Sequence, residues 1–122
     1  MDAGVVVELL AGGLDPVRLG DDDLAAPHLL DTEVLSALRA LAFRGALDPP
    51  GADAAVAGFL ALEITRFPAD PLRPRIWELR HSLTAYDATY VALAEDVDAA
   101  ALLTTDARMA RAHGPRCPIT VL

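Results

Sequence analysis

The chain has 122 residues, 53% of them apolar and 23% charged, which is enough for one domain (1–122) with a true core and excludes a disordered tail. Ten arginines, with no lysine, face eighteen acids; the net charge of −8 argues against a basic DNA-binding module and against docking on anionic lipid. There is no uncharged apolar run of about 18 residues and no basic-then-apolar leader, and the single Cys117 has no disulfide partner, so the expectation is a cytoplasmic protein without a membrane span.

Residues 5–11 (VVVELLA) predict a short helix stopped by Gly12-Gly13. Asp15-Pro16 restarts a helical turn, because Asp caps and Pro suits the first helical position. Asp21-Asp22-Asp23 reads as a polar loop, and residues 24–27 as a short strand or extended link. The clearest helix runs from Leu30 to Ala46. Leu30, Val34, Leu38 and Leu41 share one face, Asp31 or Thr32 can cap it, and Gly45 closes it. Pro49-Pro50 opens a helix over 52–62, and 63–67 is strand-like. Asp70-Pro71 begins another helix through Ile76, Trp77 and Leu79, with Pro74 tolerated in its first turn.

Residues 86–97 predict a further helix with Tyr86, Tyr90, Leu93 and Val97 on one face. A buried strand at 101–104, a helix at 106–113 broken by Gly114-Pro115, and a last strand at 119–122 complete the chain. Helices alternating with short apolar strands predict an α/β sandwich around a parallel sheet. Trp77, Tyr86 and Tyr90 fall at helical spacings and are expected in the core.

Four acids carry the chemical interest. Asp2 precedes an apolar helix, Glu33 and Asp87 lie in the first turns of the two strongest helices, and Asp106 follows the 101–104 strand. In a parallel α/β fold, strand ends and helix starts meet at one edge of the sheet, where sites form. Helix capping explains any one of them alone. All four together would repel one another unless a cation neutralised them, and an all-oxygen set suits Mg²⁺ or Mn²⁺ better than zinc. Such ions activate water and stabilise charge in phosphodiester cleavage. His28, His81 and His113 have no metal-ligand spacing, Asp21–Asp23 reads as a solvated loop, and Cys117 as a structural thiol.

The string Asp2-Ala3-Gly4-Val5-Val6-Val7-Glu8-Leu9-Leu10 resembles the opening motif of PIN-domain proteins, and Ala26-Pro27-His28-Leu29-Leu30-Asp31-Thr32-Glu33-Val34 resembles their second acidic motif. Residues 84–94 (TAYDATYVALA) and 103–109 (LTTDARM) resemble the third and fourth. Order, spacing and length are similar to VapC toxins of type II toxin–antitoxin systems. The resemblance implies a PIN-like three-layer α/β/α sandwich and a Mg²⁺- or Mn²⁺-dependent endoribonuclease. It also implies a homodimer inhibited by a VapB antitoxin. The family's acidic quartet falls on Asp2, Glu33, Asp87 and Asp106, with Thr104 placed to assist through its hydroxyl. The chain departs from the family in carrying Ala3 and Gly4 where Ser, Thr or Asn is usual after the first Asp. It departs again in having Met1 alone where a buried apolar strand normally leads to that Asp. The expectation is therefore a truncated first strand, with a coding start a few apolar residues upstream.

Two other functions compete with a ribonuclease. One is a catalytically impaired PIN module that still dimerises and binds an antitoxin. The other is a receiver-like phosphoacceptor, disfavoured because the chain has no lysine to contact an acyl phosphate.

Overall fold

The computed structural model describes residues 1–122. Its strands are short and all paired in parallel. Strand β1 (Leu24–Pro27) pairs with β2 (Ile64–Phe67), Leu24 opposite Ile64 and Pro27 opposite Phe67. Strand β3 (Leu102–Thr104) pairs with β4 (Ile119–Val121), Leu102 opposite Ile119 and Thr104 opposite Val121. Met1 and Asp2 bridge the two pairs. The Met1 amine donates to the Ala25 carbonyl at 3.1 Å, and the Asp2 N–H donates to the Leu103 carbonyl at 3.0 Å. The central position of the sheet is therefore held by two residues. Beyond Met1, a slot of about 340 Å³ separates β1 from β3, walled by Leu24, Ala25, Leu93, Val97 and Leu102.

Helices cover the sheet as an α/β/α sandwich. On one side α1 (Ala3–Val7) packs on α2 (Leu29–Phe43), and α2 on α3 (Pro49–Ala61). α1 runs on into a π-helical turn at Glu8–Gly12, which ends on Gly13 at φ 83°. In the other helical layer α4 (Arg73–Glu78) packs on α5 (Ala85–Asp96). The short α6 (Ala107–Arg111) lies against β4. Val5, Val6, Leu30, Val34 and Val91 are fully enclosed where these layers meet the sheet.

Local signals account for most element starts. Asp48 caps α3 by accepting from Gly51 N–H at 2.8 Å, with Pro49 and Pro50 in the first turn. Thr84 caps α5 by accepting from Asp87 N–H at 3.2 Å. Two expectations are corrected. α2 starts at Leu29, with His28 in the cap position and no side-chain cap, because the chain turns into the helix directly out of β1. Neither Asp31 nor Thr32 caps it; Asp31 instead pairs with Arg66 on β2 at 2.8 Å. Trp77 and Tyr86 are exposed, 68% and 60%, and only Tyr90 of the three aromatics is in the core. For Tyr86 the reason lies in α5, where Ala88 to Ala94 are buried without interruption. A helix enclosed on all sides has no polar face, so periodicity could not tell which of its aromatics lay within.

Candidate functional site

The four carboxylates gather at the end of the sheet where strands finish and helices begin. Asp2 ends the two-residue bridge and is buried. Its Oδ1 accepts from Val5 N–H at 3.1 Å, capping α1, and its Oδ2 accepts from the Thr104 hydroxyl. Thr104 is the fully buried last residue of β3. Its oxygen also accepts from the Asp106 N–H at 2.9 Å, so one hydroxyl ties Asp2 to the start of α6. Asp106 caps α6 through Arg108 N–H at 2.9 Å, and the Arg108 guanidinium grips both its oxygens at 3.2 Å.

Asp87 and Glu33 are half-buried and cap nothing. Asp87 sits in the first turn of α5 with the cap already supplied by Thr84. Because α2 begins at Leu29, Glu33 lies one turn in rather than in the first turn, and its Oε1 accepts from the Tyr90 hydroxyl at 2.6 Å. The spacing that predicts Tyr90 in the core is right, and its hydroxyl's reach to Glu33 is a contact that spacing does not reveal. The visible signal was a tyrosine one turn after Asp87 on the same helix, but its partner lies 57 residues away.

The electrostatics show mutual strain. Burial holds the Asp2 carboxyl above its ordinary value, against the Thr104 and Val5 hydrogen bonds that favour the charged form. Burial raises Asp87 too, and the charges of Asp106 and Asp2 add to it. Burial raises the Tyr90 phenol far above its usual range, with Glu33 next in effect, so it stays a donor. Asp106 is held low by Arg108. Asp2, Asp87 and Asp106 thus act on one another through space, and Tyr90 feels the charges of Glu33, Asp2 and Asp87.

The arrangement is gathered but not closed: no three His, Cys, Asp or Glu side chains stand close enough to enclose an ion as they lie. The donor chemistry still fits a hard divalent cation, because two crowded carboxyls are raised in pKa and every candidate ligand atom is oxygen. The remaining candidates lie elsewhere. Asp21–Asp23 and all three histidines are exposed, and Cys117 is a half-buried free thiol.

A close approach accounts for one departure in the opening motif. A Cβ on Gly4 would stand 2.5 Å from Thr105 Oγ1, so a side chain at residue 4 would force the Thr105 hydroxyl to turn away.

No protein-family model matches the chain. Curated proteins do. It is 40% identical over 120 residues to a protein of Mycobacterium bovis named VapC ribonuclease Mb0985, covering 98% of this chain and 94% of that one. It is 41% identical over 128 residues to Ribonuclease VapC1 of Mycobacterium tuberculosis, covering 100% and 96%. Ribonuclease VapC12 of the same species is 34% identical over 126 residues, covering 100% and 97%.

Proposed function

The chain belongs to the VapC ribonuclease family, and on that premise we propose that it is the toxin of a type II toxin–antitoxin pair, a Mg²⁺- or Mn²⁺-dependent endoribonuclease silenced by a VapB antitoxin. The observation that carries this reading is the set of carboxylates at one sheet edge, two of them raised in pKa, with a buried threonine held on Asp2 and a buried tyrosine held on Glu33. Helix capping accounts for Asp2 and Asp106 but leaves Asp87 and Glu33 unexplained.

Asp2, Glu33 and Asp87 would hold the principal ion, with Asp106 holding a second ion or orienting water. A divalent ion bound there supplies a more acidic water and neutralises charge on the phosphate. The reaction is hydrolysis: water oxygen adds in line to phosphorus, the bond to the 3′-oxygen breaks, and a 5′-phosphate and a 3′-hydroxyl remain. Thr104 fixes Asp2 by donating to Oδ2 and aligns the β3–α6 turn by accepting from Asp106 N–H. The exposed Arg108 guanidinium stands at the rim, where it meets an incoming phosphate.

A homodimer completes the proposal, consistent with exposed Leu35, Phe43 and Leu60 on α2 and α3. Light scattering at micromolar concentration is expected to give the dimer mass. The test of activity is cleavage of cellular RNA by the purified chain, read by sequencing the new ends. Cleavage is expected with Mg²⁺ or Mn²⁺, and is expected to be lost with a chelator and in Asp87→Asn. A folded, ion-binding protein that cuts no RNA would instead mark an impaired module.

A further inference from the structure

We infer that Tyr90 is the positioning residue for Glu33, holding that carboxylate in the orientation from which it binds the cation. The inference rests on the metal site proposed above. Tyr90 is almost wholly enclosed, with 3% exposure, and its side chain makes one hydrogen bond, the 2.6 Å donation to Glu33 Oε1. That bond joins α5 to α2 across the layers of the fold.

Three features set this contact apart from an ordinary satisfied core tyrosine. The acceptor is a carboxylate that serves no cap and no ion pair, so Tyr90 is its only side-chain partner. The phenol takes Oε1 and no side chain takes Oε2, which leaves one oxygen of Glu33 for another ligand. Lastly, the phenol lies within electrostatic reach of Asp2 and Asp87 as well as Glu33. A glutamate side chain has three rotatable bonds and loses substantial rotamer freedom when fixed. A short bond from a rigid, buried ring fixes it in advance, in the way that outer hydrogen bonds orient metal-binding carboxylates. Asp2 is fixed in advance as well, though through both oxygens, Oδ2 by Thr104 and Oδ1 by the α1 backbone.

The test is Tyr90→Phe, which keeps the ring and removes only the hydroxyl. Mn²⁺ affinity is measured by calorimetry on the full chain, beside a thermal melt with chelator. The expected result is a loss of about tenfold or more in Mn²⁺ affinity. In the Glu33→Gln background, the same change should cost nothing further. Unchanged Mn²⁺ affinity in Tyr90→Phe would overturn the inference. So would an equal loss with and without the Glu33 carboxylate, because the hydroxyl would then act through packing alone. If the parent protein binds no Mn²⁺, the proposed metal site itself fails; a parent that binds while Tyr90→Phe binds equally well refutes only the role of Tyr90.

Discussion

Asp87 and Asp106 look alike in the sequence, each an acid at the start of a helix, yet their surroundings give them opposite titration behaviour. Asp106 accepts from its own helix and from Arg108 and is held low; Asp87 accepts nothing from its helix and is raised by burial and by its acidic neighbours. The sign for stability follows. Asp2 and Asp87 have folded values above the ordinary 3.8, so in the window just above that value the folded state binds more protons than the unfolded chain. Their favourable contribution is full below 3.8 and is lost as pH rises through the folded values. Asp106 runs the other way: its contribution is present above 3.8 and lost as pH falls through its depressed value. In chelator at neutral pH, Asp87→Asn is expected to be more stable than the parent, by less than about 1 kcal/mol because the site is partly solvated. That advantage should shrink on acidification. Urea melts at neutral and mildly acidic pH measure it, and an advantage that stays constant would show that Asp87 is not strained.

At the scale of elements, α6 separates capping from chemistry. The helix has five residues and leans on the Asp106 carboxylate for its first turn. Asn retains the accepting oxygen and Ala does not. Asp106→Asn is therefore expected to melt near the parent, while Asp106→Ala loses about 1 kcal/mol. Both should lose RNA cleavage, and retained cleavage in Asp106→Asn would remove this residue from the site. Such caps were legible in the sequence because their chemistry is local. Asp15 and Asp106 each accept from a backbone N–H two residues on. What was not legible depends on distant partners. Asp31 was read as a cap and is bound to Arg66, 35 residues away. Glu33 falls in the first turn of a helix that starts at Leu30 but not of one that starts at Leu29, and its hydroxyl partner lies on another helix. The faces of α5 were unreadable for a different reason, since its central turns, Ala88 to Ala94, are buried on every side and leave no contrast.

The whole molecule is two parallel strand pairs joined at one point by Met1 and Asp2, so the sheet's coherence and the placement of Asp2 depend on the same two residues. The slot beyond Met1 was not legible in the sequence, since it is shaped by residues from β1, α5 and β3 together. Parallel pairing aims alternate backbone groups to alternate neighbours. Leu102 N–H and Thr104 C=O bond toward β4, so Leu103 between them faces the slot, as its bond from Asp2 shows. Burial also depresses the Met1 amine, because an ammonium is costly there. An engineered extension of Val-Ile-Val ahead of Met1 would turn that ammonium into an amide, bond to both slot edges and bury apolar side chains between them. Each buried side chain contributes about 1.5–3 kcal/mol. Ordering its residue offsets about 1–2 kcal/mol of that. The net expectation is a stabilisation of roughly 1–3 kcal/mol, or about 4–12 °C in Tm for a domain of this size. A Ser-Asp-Ser extension of equal length should give no such rise, because its polar groups would be buried without partners. Scanning calorimetry in chelator compares the three proteins. Equal melting of the two extended forms would show that the slot does not accept a strand. The apolar form melting higher, with tighter Mn²⁺ binding, would show that filling the slot also steadies Asp2.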